Sequence, residues 1–369
     1  MKGRIAKRRR PHYKMKRKIY AFAAILLALL SVLQLAGCEG FFTDYSPESS
    51  GTAAQTTEKP FELKIVRKKD RITIFTLFEG KTAGELASAA LITMNTDDST
   101  LSVLQIPVNI YFGDEGSLSK YYKDSVAAAS AGGSENSVAD AMSAVETLIE
   151  DTLAVDIDYT AHMTKSQIIS IIDTVGGIKL KMPYAIGLDN GTVINKGNVE
   201  IDGERTFGLM TYGRYSSEFS SELHIHKFLF SAFFTAVKEN IDGNVLSVKA
   251  IEIRQHMTTT LKGTGGSDMF ILKKFAAAEP ENIKFTKLAC ENVTLASGSF
   301  SVVCRSTALK QINEFTDLYN DSIADADFDP ERKLTSDSDA VVSALYGSSI
   351  SIPAVYTAKD IADGKIVIK

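Results

Sequence analysis

Glu222, His224 and His226 stand at alternate positions with Lys227 next in line, a carboxylate and two imidazoles that could hold a metal or move a proton. On a strand, His-x-His would put both rings on one face. On a helix they diverge by about 200° at 3.6 residues per turn, and the surrounding pattern predicts a helix. Zinc sites want three or four convergent ligands, so these histidines read as helix-surface or capping residues and no metal site is expected. Arg214, within Tyr212-Gly213-Arg214-Tyr215, falls in an expected loop as a solvated arginine beside aromatics. Asn109 follows an apolar strand and suits a turn that caps its end. Gly263-Thr264-Gly265-Gly266 lacks the Lys-Ser/Thr and the strand-to-helix setting of a phosphate loop and reads as a turn. No Ser-His-Asp or Cys-His arrangement stands in a recognisable context. Cys290 and Cys304 are spaced as if on two adjacent strands; a disulfide and two buried thiols both remain open.

The elements that must position these residues alternate between strand and helix. Leu63–Val66, Ile72–Leu77, Ala89–Met94 and Leu101–Val108 read as strands, the last two joined by the turn Asn95–Ser99. Ser117–Ser134 is small and polar and reads as a loop with a helical turn. Ser137 is the expected N-cap of a helix whose apolar residues recur at spacings of three and four. Thr164 caps a second helix that stops at Gly176-Gly177, and Ile178, Leu180 and Met182 then alternate with lysines as a strand. Asp189-Asn190-Gly191 marks a hairpin. A long helix is expected from about Ser220 to Asn240, with Phe228, Phe230 and Phe234 widening its apolar stripe until it is buried on more than one side. The alternation predicts an α/β fold with three α-β-α layers around a central mixed sheet.

The ends carry a different message. Ten basic residues and no acidic one lie within Met1–Lys18; the 17 residues Ile19–Leu35 are almost wholly apolar, and Leu35-Ala36-Gly37-Cys38 follows. A cationic start, a greasy middle and small residues at the cut describe a secretory signal. The motif resembles the bacterial lipobox, which makes Cys38 the expected lipidation site; an uncleaved signal anchor is the other reading. Either places the remainder outside the cytoplasmic membrane. The expected organisation is a signal over 1–37, a flexible tether over 38–60, an α/β domain over 61–327 and a C-terminal loop and arm over 328–369. Beyond Lys18 the chain has a net charge of −14, so general field effects will not draw it to nucleic acid.

Several segments fit a known order. Ala89–Asn95 then Leu101–Pro107 form a strand–turn–strand ending in Ile-Pro; Val145–Leu148 and Asp156–Tyr159 give a helix and the next strand; Ile172-Asp173-Thr174-Val175-Gly176-Gly177-Ile178 and Ile201-Asp202-Gly203-Glu204 complete the set. In this order and spacing the chain resembles the extracytoplasmic domain of the LytR-CpsA-Psr family over about Ile72–Asn240, and more weakly to Tyr319. The resemblance implies magnesium-assisted transfer of anionic glycopolymers from an undecaprenyl-pyrophosphate carrier to peptidoglycan, with an apolar slot for the lipid tail. The lipobox makes the membrane one expected partner, through the lipid anchor at Cys38; the resemblance implies as the other a polyprenyl-linked glycopolymer or a cell-wall transferase. By position in the family pattern, Asn109, Arg214, Glu222, His224 and Lys227 would line the head-group end, with Phe228 and Phe230 against the tail.

The charged positions depart from that pattern. Val108-Asn109 stand where the family has Arg-Asp, Ala87 where it has an Asp, and only Arg214 represents its Arg-x-Arg. Glu222, His224 and Lys227 replace its Asp…Arg…Arg, and Phe228-Leu229 its glutamines. Each lost charge-assisted contact to a developing phosphate charge costs roughly 2.7–4 kcal/mol, and neither lysine nor histidine offers the planar guanidinium fork. The expectation is a divergent member with weak or absent transferase chemistry and a doubtful need for magnesium. The alternative expectation, a solute-binding lipoprotein, calls for two similar lobes, and no internal repeat is visible.

Overall fold

A computed structural model of the protein describes residues 67–212, 222–240, 246–260, 267–320, 338–347 and 350–368. Cys38, the tether, Arg214, the strand expected over Leu63–Val66 and the Gly263–Gly266 turn lie outside these residues, as do the side chains of Glu222 and His224.

β1 (Arg71–Glu79), β2 (Leu86–Asn95) and β3 (Leu101–Ile106) form an antiparallel meander. Helices α1 (Leu118–Ala131) and α2 (Ser137–Leu153) follow, and β4 (Tyr159–Met163) returns parallel to β1. α3 (Lys165–Thr174) leads into two small ribbons: β5 (Ile178–Met182) pairs with β8 (Gly197–Ile201), and β6 (Ile186–Gly187) with β7 (Val193–Ile194). Next come α4 (Gly203–Met210), α5 (Glu222–Asn240), α6 (Leu246–Gln255), β9 (Thr258–Thr259) and α7 (Ser267–Ala277). β10 (Ile283–Lys287), the ribbon β11 (Glu291–Leu295) and β12 (Gly298–Val302), α8 (Arg305–Thr316), α9 (Ser338–Tyr346), β13 (Tyr356–Thr357) and α10 (Ala358–Ala362) complete the order. The central sheet runs β13-β10-β3-β2-β1-β4-β9. It is mixed: β4 lies parallel to β1 and β10 parallel to β3, while the other neighbours are antiparallel. The C-terminal arm thus supplies one edge strand.

Both sheet faces are covered, which explains why the central strands read as near-continuous apolar runs. Ile74, Ile92 and Val103 face α3–α7, whereas Phe75, Leu91 and Leu104 face α1, α2 and α8. Full burial of each such side chain contributes about 1.5–3 kcal/mol. This is the three-layer α-β-α arrangement expected.

Two expectations need correction or closure. Ser117–Ser134 is a helix rather than a loop: Ser117 caps α1 by accepting from Lys120 N, Leu118 and Tyr122 bury one turn apart, and the alanines of Ala127–Ala131 favour helix. The small residues that read as loop are good helix formers when one buried edge anchors them. The cysteine alternative closes on free thiols: Cys290 packs in the cluster beneath α2 and α8, Cys304 in the cluster beside α9. Cys290 precedes β11 and Cys304 follows β12, both at the open end of the ribbon, yet they pack into different clusters.

The Asp202-Gly203 step is dictated by close packing. Asp202 caps α4 by accepting from Arg205 N at 3.0 Å, and the carboxylate of Asp173, at the end of α3, accepts from Gly203 N at 2.8 Å. A Cβ on Gly203 would sit 2.4 Å from the carbonyl oxygen of Ile169 in the body of α3. Gly203→Ala should therefore lower stability by about 1–3 kcal/mol through overpacking, read as a shifted denaturation midpoint. Gly187→Ala, where an added Cβ meets nothing within 4 Å, should leave it nearly unchanged; equal shifts would refute the packing argument.

Candidate functional site

On the face toward α3–α7, a row of small side chains crosses the sheet. Ala90 of β2 pairs with Thr76 of β1, and Thr76 with Ala161 of β4. Taller residues flank the row: Ile74 beside Ile92 on one side, Phe78 beside Met163 on the other. The helices bridge this trough, and a cavity of about 190 Å³ remains beneath them over Thr76 and Ala161. For scale, an engineered apolar void of roughly 150 Å³ stays dry and accepts benzene.

Ile168, Ile171 and Ile172 of α3 close one side, Ile253 of α6 with Ile271 and Phe275 of α7 another. The roof is α5, whose Leu229, Phe230, Phe233, Phe234 and Val237 recur at helical spacing along the cavity. The Phe230 ring meets Phe78 edge-on at 5.6 Å. The aromatic helix is therefore core and cavity wall at once.

Polar groups in the wall are few. Thr76 Oγ1 donates to the Ala90 carbonyl at 3.0 Å and Thr206 Oγ1 to that of Asp202 at 2.7 Å. His226 is buried with its Nε2 2.9 Å from the Met210 carbonyl oxygen. Burial pushes its pKa down to about 4, against a smaller opposing effect of that hydrogen bond, so the ring is neutral at pH 7. Arg254, from the last turn of α6, is the one arginine of the wall among the described residues.

The residues singled out from the sequence separate in space. Phe230 lines the cavity; Phe228 is buried in the same apolar cluster but faces away from it. Lys227 also turns aside, its ammonium 5.0 Å from the Tyr356 ring centroid and 6.0 Å from that of Phe228. Burial, with Lys287 adding repulsion, lowers its pKa to about 8. Asn109 holds the β11–β12 ribbon: its Oδ1 accepts from Ser301 Oγ at 2.9 Å and its carbonyl from Ser301 N at 3.0 Å. Ser88, His226 and Arg254 emerge as wall residues that the sequence pattern did not pick out for this role. The only signal was indirect: a small residue on an apolar strand and charged or polar residues on the inner faces of helices.

A second buried polar cluster lies on the opposite sheet face. Tyr122 Oη is 2.9 Å from His162 Nε2, which is 3.3 Å from Glu79 Oε1. Burial and then the charge of Glu79 push the Tyr122 pKa up. Burial alone would raise the pKa of Glu79, but the hydrogen bond and charge of His162 outweigh it and hold the carboxyl below its ordinary value. The cluster ties α1 to β1 and β4. Among the described residues no group of three His, Cys, Asp or Glu side chains could hold a metal. The described cavity wall carries no carboxylate, and magnesium is held through carboxylate oxygens, so these wall residues do not fit a magnesium site. No described helix is long and apolar enough to cross a membrane.

No protein-family model and no curated protein sequence matches the chain. Solved structures do. TagV of B. subtilis superposes with a TM-score of 0.53 at 16% identity, covering 68% of this chain and 99% of that one. Protein gbs0355 of Streptococcus agalactiae gives 0.55 at 14%, covering 68% and 89%. TagT bound to LI-WTA gives 0.51 at 14%, covering 68% and 90%. At these identities the likeness is one of fold: the chain has the architecture of the LytR-CpsA-Psr proteins TagV and TagT, as its segment order implied.

Proposed function

We propose that this is a membrane-tethered, extracytoplasmic protein of cell-wall glycopolymer assembly that holds the isoprenoid tail of a polyprenyl-linked molecule and transfers phosphoryl groups weakly or not at all. The observation that carries this reading is an apolar cavity whose described wall offers a single arginine and a neutral histidine. A chain of CH₂ and CH₃ groups gains about 0.8 kcal/mol for each carbon withdrawn from water, and the trough supplies that environment. A pyrophosphate needs several guanidinium groups in paired contacts, which the described wall does not provide. The shared fold and the complex of TagT with LI-WTA support a glycopolymer as the partner chemistry. Anchoring through Cys38, and a role beside an active transferase, complete the proposal.

Native mass spectrometry of the full chain extracted from membranes should show a polyprenyl adduct; a small polar ligand in its place would contradict the reading. In a transfer assay with labelled glycopolymer, the chain should be at least about 100-fold slower than an arginine-bearing relative. Comparable rates would show that the chemistry survives.

The neutral state of His226 has its own signature. The unfolded chain takes up this proton near the ordinary value of 6.5, the folded chain only near 4. Its contribution is present above about pH 6.5 and is lost as the pH falls toward 4. Relative to His226→Gln, the wild-type chain should lose about 2–3 kcal/mol more stability between pH 7 and pH 4. Parallel profiles in denaturant titrations would rule this out.

A further inference from the structure

Helices α6 and α7 are apolar on two sides. Their inner residues, Ile253 on α6 with Ile271 and Phe275 on α7, close the cavity. On the other side Val248 and Ile251, three residues apart on one face of α6, are 57% and 56% exposed, and Phe270 of α7 is 43% exposed. The two helices pack against each other in the outer layer, so the faces opposite the cavity turn the same way, to solvent. A helix that is apolar all round is ordinarily buried all round; here the protein covers one side.

The charge beside these side chains is basic. Lys273 and Lys274 follow Phe270 by three and four residues and share its face of α7. Lys274 lays its ammonium 5.5 Å from the Phe270 ring centroid. Lys273 is exposed and pairs with no described carboxylate. The one carboxylate described on these two helices, Glu252, is paired with Lys249 at 2.8 Å. On a chain that carries −14 beyond Lys18, this face is a local exception. Apolar groups flanked by lysines suit a membrane interface, where the apolar groups reach the acyl chains and the ammonium groups stay at the phosphates.

The cavity behind this face favours a bilayer over a protein as its cover. A polyprenyl-linked molecule stays in the membrane by its tail, and carrying that tail through water is unfavourable in proportion to the apolar area exposed. Two helices that touch the cavity on one side and a bilayer on the other keep the tail out of water. We infer that the exposed face of α6 and α7, with Val248, Ile251, Phe270, Lys273 and Lys274, docks on the surface of a bilayer containing anionic lipid. This rests on the lipid-holding reading above and adds which surface of the chain meets the membrane.

The test places single fluorophores on the full chain in nanodiscs through Ile251→Cys, Phe270→Cys and, as a control, Leu345→Cys. Leu345 is equally exposed, on α9, which packs against the β11–β12 ribbon. Nitroxide-bearing phosphatidylcholine quenches a label in the bilayer, and iodide quenches one in water. With phosphatidylglycerol in the disc, lipid quenching at positions 251 and 270 should exceed that at position 345 severalfold. Lys273→Gln combined with Lys274→Gln should weaken docking on the order of tenfold, and discs of phosphatidylcholine alone should weaken it similarly. Equal quenching at all positions, or no dependence on the lysines and the anionic lipid, would overturn the proposal. Shielding from iodide without lipid quenching would assign the face to a second copy of the chain and overturn it as well. Native mass spectrometry of the same samples separates the two readings. A polyprenyl adduct without quenching would remove the docking surface alone; quenching without an adduct would support that surface and count against the tail in the cavity.

Discussion

The row Ala90–Thr76–Ala161 is the constraint on which the rest of the structure turns. Three strands that could have carried Ile, Leu or Phe at matching positions carry Ala, Thr and Ala instead. Protein interiors normally pack to crystal-like density, so a helix layer laid over such a row must either sink into it or bridge it. Here the helices stand on the taller Phe78, Ile74 and Met163, and α5 turns its phenylalanines to the space below. The cavity is thus a product of register: shifting β1 against β4 by one residue would move Thr76 to the other sheet face and close it.

Electrostatics follow from the same geometry. Among the described wall residues, a neutral imidazole, one arginine and hydroxyls mostly paired with backbone carbonyls leave little to grip an ionised phosphate. The acidity of the chain beyond Lys18 works in the same direction at long range. The arginines missing from the sequence pattern and the neutrality of His226 are therefore two views of one feature: the described wall offers little charge. The fold is retained because it is held elsewhere, by the two-sided burial of the sheet and by close glycine packing of α4 against α3.

Much of the architecture was legible in the sequence because it rests on local signals. The apolar runs of β1 to β3, the N-cap Thr164, the Gly176-Gly177 stop and the Asp189-Asn190-Gly191 turn each act within a few residues. α1 was not, because its run of alanines and serines carries little apolar stripe and its fully buried side chains are Leu118 and Tyr122, both in the first two turns. The site was only half legible. Phe230 could be assigned to an apolar helix face, but Thr76 and Ala161 lie far apart in the chain and meet only through strand register. His226 read as a surface or capping histidine because the imidazole two residues before it invited a paired interpretation. Its burial depends on where α4 ends and offers the Met210 carbonyl.

A crystal structure of the chain grown with farnesol would show whether the space between sheet and helices takes up an isoprenoid. Continuous ligand density should lie over Thr76 and Ala161, bounded by Phe230 and Met163, with the sheet register unchanged. A filled interior, with the α5 side chains seated on Thr76 and Ala161 and no room between the layers, would contradict it.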